Sequence, residues 1–367
     1  MTLLNRADAG TNRARQPRHT EAELRQLLTA HERFARGEPG GQQAILRYIQ
    51  APDFDFSDRL MALADLTGAN LQRCRLVRAN LERASLHLAD LRDVDATEAN
   101  FTRADIRGVS LRRANLAGAI FDEADMRLAV LSPAGASEDF RLADPAAPAE
   151  AQPDDVTFEV DFTHCSMRQV RLANARLTQV NFTGACLAGA DLTGADLRGG
   201  RFRGAILTGV KLGQVKLDPG ALDGCVRDPS ARALGRVAAL LQGLAAADRW
   251  VASGGAEGAP AELDDEDLRP LGSAFVGRRQ TALSARRACA VDVSFSGAQL
   301  QGARFDDADL RGADFTGADL RGASFRGARL RFARFADADL RPLALASGGE
   351  RAVDLTGTEG FAAADRA

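Results

Sequence analysis

Reactive and large aromatic side chains are scarce in this 367-residue sequence, which has one Trp, one Tyr, four His and two Lys. The two lysines, Lys211 and Lys216, do not follow a Gly-rich loop ending in Gly-Lys, which excludes a P-loop. H-E-x-x-H, G-x-S-x-G and G-x-G-x-x-G are all missing, and with them the common zincin, serine-hydrolase and dinucleotide signatures. Five cysteines, at 74, 165, 186, 225 and 289, form no C-x-x-C pair, and the odd number argues against a disulfide framework. Cys74 and Cys165 read as small hydrophobes. His164 and Cys165 are the one close His/Cys pair, and alternation along an extended chain points them to opposite sides. No catalytic residue, cofactor or metal is therefore expected. Apolar runs of roughly 18 residues are also missing, and "MTLLNRADAGTNRARQPRH" has no apolar stretch suited to a signal peptide. The expectation is a cytoplasmic protein with no membrane contact, with secretion lacking a cleaved signal left open.

What the sequence has in quantity is a spacing. In "FDDADLRGADFTGADLRGASFRGARL", residues 305–330, an apolar residue stands at every fifth position: Phe305, Leu310, Phe315, Leu320, Phe325, Leu330. A helix would carry each one about 140° around its axis, and a straight strand would send them alternately to opposite faces. The chain must instead bend once per repeat and aim each central residue at a common axis, which makes it a solenoid.

Phenylalanine shows how many bends close a coil. Phe162, Phe182 and Phe202 are twenty residues apart, as are Phe295, Phe315 and Phe335, Phe305 and Phe325, and Phe101 and Phe121. Twenty residues are four repeats, so a four-sided coil stacks these rings into columns. The residue two before each centre is small (Ala303, Ala308, Ala313), as a tight corner requires. The residue between them, often Asp or Asn, and the Arg-Gly or Thr-Gly pair after the centre face water. Of the 38 central positions from 66 to 131, 162 to 222 and 295 to 345, only Ala96 is not Leu, Ile, Met or Phe. A cavity or a bulge is expected there.

The tandem A-(D/N)-L-x-x pattern resembles the pentapeptide-repeat family. That resemblance implies an all-β solenoid, a right-handed quadrilateral β-helix with four five-residue repeats per coil, here with short α-helical caps or insertions. The handedness comes from the resemblance alone.

The chain divides on this reading into an N-terminal helical cap (1–52), a first repeat block (53–131), an Ala/Pro/acid-rich loop or linker (132–157) and a second block (158–222). A helical insertion with degenerate repeats (223–290), a third block (291–345) and a C-terminal rung and tail (346–367) follow, with "VDL" at 353–355 as the rung. In the first cap, Thr20 and Glu23 form a capping box, Leu24, Leu27, Leu28, His31 and Phe34 share a face, and Gly37 ends the helix. In the second helix Leu234, Val237, Leu241, Leu244 and Val251 lie at helical spacing. "HERFARGEPGG" and "ADRWVASGGAEG" resemble each other, which suggests that a helix plus repeats occurs twice.

Charge narrows the function. Some pentapeptide-repeat proteins imitate DNA and bind type II topoisomerases, which needs anionic walls. Residues 64–131 hold ten acids and ten bases, 160–222 four and eight, and 293–345 seven and eight, so mimicry is disfavoured. Direct nucleic-acid binding is also disfavoured, because no outward aromatics accompany the bases of the second block. The reading is a non-catalytic scaffold that binds another protein through its walls, with self-association into a homodimer left open. Arg311, Arg321, Arg331, Arg341, Asp319 and Asp339 are the expected docking face. The alternatives are the topoisomerase-binding mimic and, by resemblance to some proteobacterial pentapeptide proteins, an accessory or adaptor of a type VI secretion system.

Overall fold

The structure, a computed structural model, describes residues 20–127, 160–346 and 348–361. The expected loop at 132–157 lies outside these residues. The described chain forms two compact units that divide after Asp228.

Each repeat bends for a local reason. The N–H three residues after a centre returns to the centre's carbonyl, as in Ala308 to Phe305 (3.1 Å) and Ala318 to Phe315 (2.9 Å). The third residue of this turn has positive φ, for example Gly312 (72°) or Asp307 (58°), the signature of a type II turn. Three further N–H groups pair between coils: Phe305 to Ser324 (2.7 Å), Asp307 to Arg326 (2.7 Å) and Asp309 back to Ala288 (2.9 Å). Four of the five backbone donors in a repeat are thereby satisfied within the stack. Parallel bridges at a step of twenty, such as Ser294 to Asp314, run through both units and define four walls.

The interior columns form as the spacing requires. Phe162 and Phe182 stack with centroids 5.4 Å apart, and Phe182 and Phe202 at 5.2 Å. In the second unit Phe295, Phe315 and Phe335 stack at 5.0 and 5.1 Å, and Phe305 and Phe325 at 5.3 Å. The two Phe columns stand on opposite walls and meet edge to face, with Phe305 and Phe315 at 5.7 Å and 75°. Ala96 is fully buried, and its N–H pairs normally with Asn115 O (2.8 Å), so the expected bulge is absent.

The first unit starts with α1 (Glu21–Ala35) and its Thr20/Glu23 capping box. Leu24, Leu28 and His31 are buried, while Leu27 and Phe34 stay more than a third exposed. Beyond residue 127 the stack resumes without loss of register: Asn115 bridges Asp161, a step of 46 from 115 to 161 in place of 20. One apolar core runs from Leu24 to Cys225.

The second unit starts with α2 (Ala231–Ala252), whose buried face is Ala233, Leu240, Leu244 and Ala247. This differs from the sequence reading, for Leu234 and Leu241 are exposed. Leu240, Leu244 and small Ala247 make the stripe that packs into the core of this unit. Leu240, Leu244 and Ala247 belong to the same core as Leu263, Leu268 and Phe275, so α2 opens this unit and is not an insertion in it. Its first coil steps by 22, Glu262 to Ser284, and the two extra residues enter near the 3₁₀ turn Arg269–Leu271. Its last coil steps by 30, Ser324 to Asp354, which makes "VDL" a rung. The extra ten residues include an antiparallel hairpin of β1 (Leu343–Ala344) and β2 (Glu350–Arg351). Leu345 is therefore an exposed hairpin residue and not the last centre of the third block. Arg351 pins this hairpin by donating to Gly322 O (2.7 Å) and Gly302 O (3.0 Å).

Candidate interaction site

The six residues of the expected docking face do not share a wall. Ten residues are half a coil, so Arg311 and Arg331 stand on the wall of Leu310 and Leu330, while Asp319, Arg321, Asp339 and Arg341 stand on the opposite one. On the latter wall Asp319 bridges Asp339 directly. The single six-residue face is corrected accordingly.

Three of these arginines are also held in place by their own repeats. Backbone pairing leaves one N–H per repeat, that of the residue after the centre, and the Asp before the centre accepts it: Arg321 N to Asp319 Oδ1 is 3.2 Å and Thr316 N to Asp314 Oδ1 is 3.1 Å. When the residue after the centre is Arg, its guanidinium folds back onto the same carboxylate. Arg321 reaches Asp319 through Nε (2.9 Å) and Nη2 (2.7 Å), Arg341 reaches Asp339 likewise, and Arg311 reaches Asp309 at 2.8 and 2.7 Å. These are bidentate clamps. The frequent Asp before the centre thus has a backbone task, which periodicity could not show because the acceptor role depends on which N–H the coil leaves over.

Exposure separates the four arginines. Arg311 is 6% exposed and buried with its clamp, whereas the Arg341 side chain is 79% exposed. Burial, aided by nearby Arg311, lowers the pKa of Arg331, and Glu359 opposes the shift. Hydrogen bonds from Arg341 hold the Asp339 carboxyl down at about 2.

Elsewhere charges pair from coil to coil. Arg73 grips Asp53 (2.6 Å), Arg78 grips Asp58 (2.7 Å), Arg113 grips Asp93 (2.5 Å) and Arg103 grips Glu123 (2.9 Å), each across one coil. In the second unit Arg287 grips Asp265 (2.6 Å) and Arg286 grips Asp264, whose carboxyl lies at about 2 under bonds from Arg286 and Ser284 that outweigh its desolvation. In the second block acids stand in register between bases: the backbone of Asp191 pairs with those of Arg171 and Lys211, and that of Asp196 with those of Arg176 and Lys216.

Corner columns also explain several glycines. At Gly68 and at Gly184 a Cβ would overlap the Tyr48 and His164 rings of the preceding coil, and both glycines have positive φ. His164 therefore lies along a corner, while Cys165 points inward and donates to Leu116 O (2.8 Å). Cys74 donates to Ala51 O (2.9 Å), and burial pushes its thiol up to about 12. Both thiols behave as small core residues. Among the described residues no cluster of three or more His, Cys, Asp or Glu could hold a metal ion. Also among them, no helix is long and apolar enough to cross a membrane.

No curated protein matches the chain. Solved structures similar to it include HetL, a pentapeptide repeat protein involved in heterocyst differentiation regulation in the cyanobacterium Nostoc sp. strain PCC 7120. It is 18% identical over 93% of this chain and 96% of its own, with a TM-score of 0.42. QnrB1, a plasmid-mediated fluoroquinolone resistance protein, is 20% identical over 48% of this chain and 84% of its own, with a TM-score of 0.31. A pentapeptide repeat protein of the Arabidopsis thaliana thylakoid lumen is 20% identical over 45% of this chain and 69% of its own, with a TM-score of 0.20. The family model for pentapeptide repeats matches eight copies, over residues 61–95, 97–132, 158–199, 185–218, 289–327 and 303–341, just over half of the sequence. These are the residues whose centres stack into the interior columns, and their fold is the right-handed quadrilateral β-helix: the chain belongs to the pentapeptide-repeat family.

Proposed function

We propose that the protein is a non-catalytic scaffold that binds another protein through its walls. The observation that carries this reading is the division of labour within each repeat. The centre and the small residue fill the interior, and the remaining three positions form flat, ordered, charged surfaces. Clamped arginines such as Arg321 and Arg341 have given up part of their rotamer freedom already, so a partner that meets them orders little more. On the second unit, the wall bearing Asp319, Arg321, Asp339 and Arg341 is the proposed docking surface.

The topoisomerase-binding mimic gains no support from this geometry. A phosphate row is anionic at every step, whereas acids here alternate with arginines from coil to coil.

The test uses the full chain as bait and maps any captured protein by hydrogen exchange. Protection of amides along that wall, reduced by Arg321→Ala with Arg341→Ala, is the expected result. A footprint elsewhere, or turnover of a small molecule by the chain, overturns the reading.

A further inference from the structure

The wall of the first unit centred on Phe56, Leu76, Ala96 and Leu116 is banded by charge. Its first coil presents Asp53, Asp55 and Asp58, the second Arg73, Arg75 and Arg78, the third Asp93, Asp95 and Glu98, and the fourth Arg113 beside Asn115 and Gly118. Bridges Asp55 to Arg75, Arg75 to Asp95 and Asp95 to Asn115 fix these rows in register. The sign thus reverses at every coil, about 4.8 Å. The side chains of Asp53, Arg73, Asp58, Arg78 and Arg113 are all more than half exposed, and the pairs Asp53–Arg73, Asp58–Arg78 and Asp93–Arg113 hold them in fixed positions.

We propose that this wall binds the same wall of a second copy, with the two solenoid axes antiparallel. A two-fold axis along the rows, between the second and third coils, reverses their order and keeps each column against itself. Arg73, Arg75 and Arg78 then face Asp93, Asp95 and Glu98 of the other copy, and Asp53 faces Arg113. The two middle rows meet opposite charge at all three columns and the outer rows at Asp53–Arg113, with no like charges facing each other, the self-complementarity that an isologous contact requires. A parallel arrangement sets acid against acid and Arg against Arg. A partner of uniform charge, such as a nucleic-acid backbone, meets a repelling row at every second coil. Because the paired groups are exposed, the association is weak and sensitive to salt.

Sedimentation equilibrium of the full chain tests this. The wild type should self-associate at low salt and become monomeric in about 0.5 M salt, where the Debye length falls to a few ångströms. The triple reversal Arg73→Asp, Arg75→Asp, Arg78→Asp and the reciprocal Asp93→Arg, Asp95→Arg, Glu98→Arg should each be monomeric, because their middle rows then repel. Mixed together they should form a heterodimer, since the middle rows again meet opposites. That rescue cannot come from misfolded chains, and circular dichroism confirms that each variant is folded. A wild type that stays monomeric at low salt overturns the proposal. So does a wild type that dimerises while the mixed variants do not, since another surface must then be responsible.

Discussion

Helices α1 and α2 lower the same three positions onto the coils beneath them, 216 residues apart in the chain: Leu24 and Leu240, Leu28 and Leu244, His31 and Ala247. Glu32 and Asp248 follow at the same offset, and each pairs with an arginine of its own unit, Arg59 at 3.1 Å and Arg278 at 2.5 Å. The polar fittings around these shared positions differ. Under α1, His31 Nδ1 accepts the Ala44 N–H (3.0 Å). Under α2 the corresponding residue is alanine, and Asp248 takes over by accepting the Arg279 N–H (3.1 Å) and the Gln280 amide (3.0 Å) along with Arg278. Gln280 occupies a central slot that holds Leu300, Leu320 and Leu340 in the following coils, and it also donates to Leu244 O (3.0 Å). The apolar positions are held by the cross-section they must cover. The polar ones need only satisfy the donors left over, and more than one set of side chains does that.

The comparison is broken most severely at the shared leucines. Leu28→Ala and Leu244→Ala each leave a cavity between helix and coil, with an expected loss of about 2–5 kcal/mol. Hydrogen exchange of coil amides should report each loss in its own unit, near Leu46 for the first and near Leu263 for the second. Equal effects of both substitutions on both units would contradict two independent caps. Next in size comes Asp248→Ala, which removes one of the two acceptors of the buried Gln280 amide along with the partner of Arg278 and should cost about 1–3 kcal/mol. Glu32→Ala breaks a single ion pair and should cost about 1 kcal/mol or less. Urea midpoints that place Glu32→Ala below Asp248→Ala would show that Asp248 holds α2 no more firmly than Glu32 holds α1.

The polar differences were hidden in the sequence for the same reason that the apolar frame was visible. A spacing of five with Phe at multiples of twenty admits one arrangement, so coil size and interior columns could be read directly. The face of α2 could not, because Leu234 and Leu241 fit helical spacing as well as Leu240 does, and the decision rests on which of them the closed coil covers. The docking residues failed differently. Arg311 and Arg321 look alike in sequence, yet half a coil separates them, and both are held by the carboxylates two residues earlier, whose acceptor role follows from an N–H count that only the closed coil reveals. At the end of the third block Leu345 keeps the five-residue phase but lies in a hairpin, held there by Arg351.

Acid should divide the two caps further. His31 is fully buried, and burial lowers its pKa, with the carbonyls of Met61 and Ala62 and the charge of Glu32 opposing the shift. The charged groups nearby are Glu32 on the helix and Arg59 on the coil, already paired with each other. A lowered folded-state pKa means that the unfolded chain binds the proton more readily, so this contribution to stability is complete above pH 6.5 and is lost as pH falls below it. Protonated Nδ1 also cannot accept the Ala44 N–H. Amides of residues 21–35 should exchange faster, after correction for intrinsic rates, as pH falls from about 7 to 5, while those of α2 should not. His31→Leu should abolish the difference; if it persists, another group is titrating.

The smallest difference between the two units is expected at the helix N-termini, where the two caps come nearest to equivalence. Thr20 accepts the Glu23 N–H (3.3 Å) while Glu23 accepts the Thr20 N–H (2.7 Å), whereas Ser230 only accepts the Ala233 N–H (3.2 Å). Alanine at either position should cost about 1 kcal/mol. Thr20→Ala removes one half of a reciprocal box whose other half, the Glu23 carboxylate on the Thr20 N–H, survives, and carboxylates in the first turn also favour the helix dipole. The loss at Ser230 should therefore be slightly the greater, since the first turn of α2 has no acidic residue to compensate. Adding one, with Ala233→Glu, tests whether that compensation is local. Ala233 is buried, so the gain should appear only if the new carboxylate reaches the Ser230 N–H, and steric loss should exceed it otherwise.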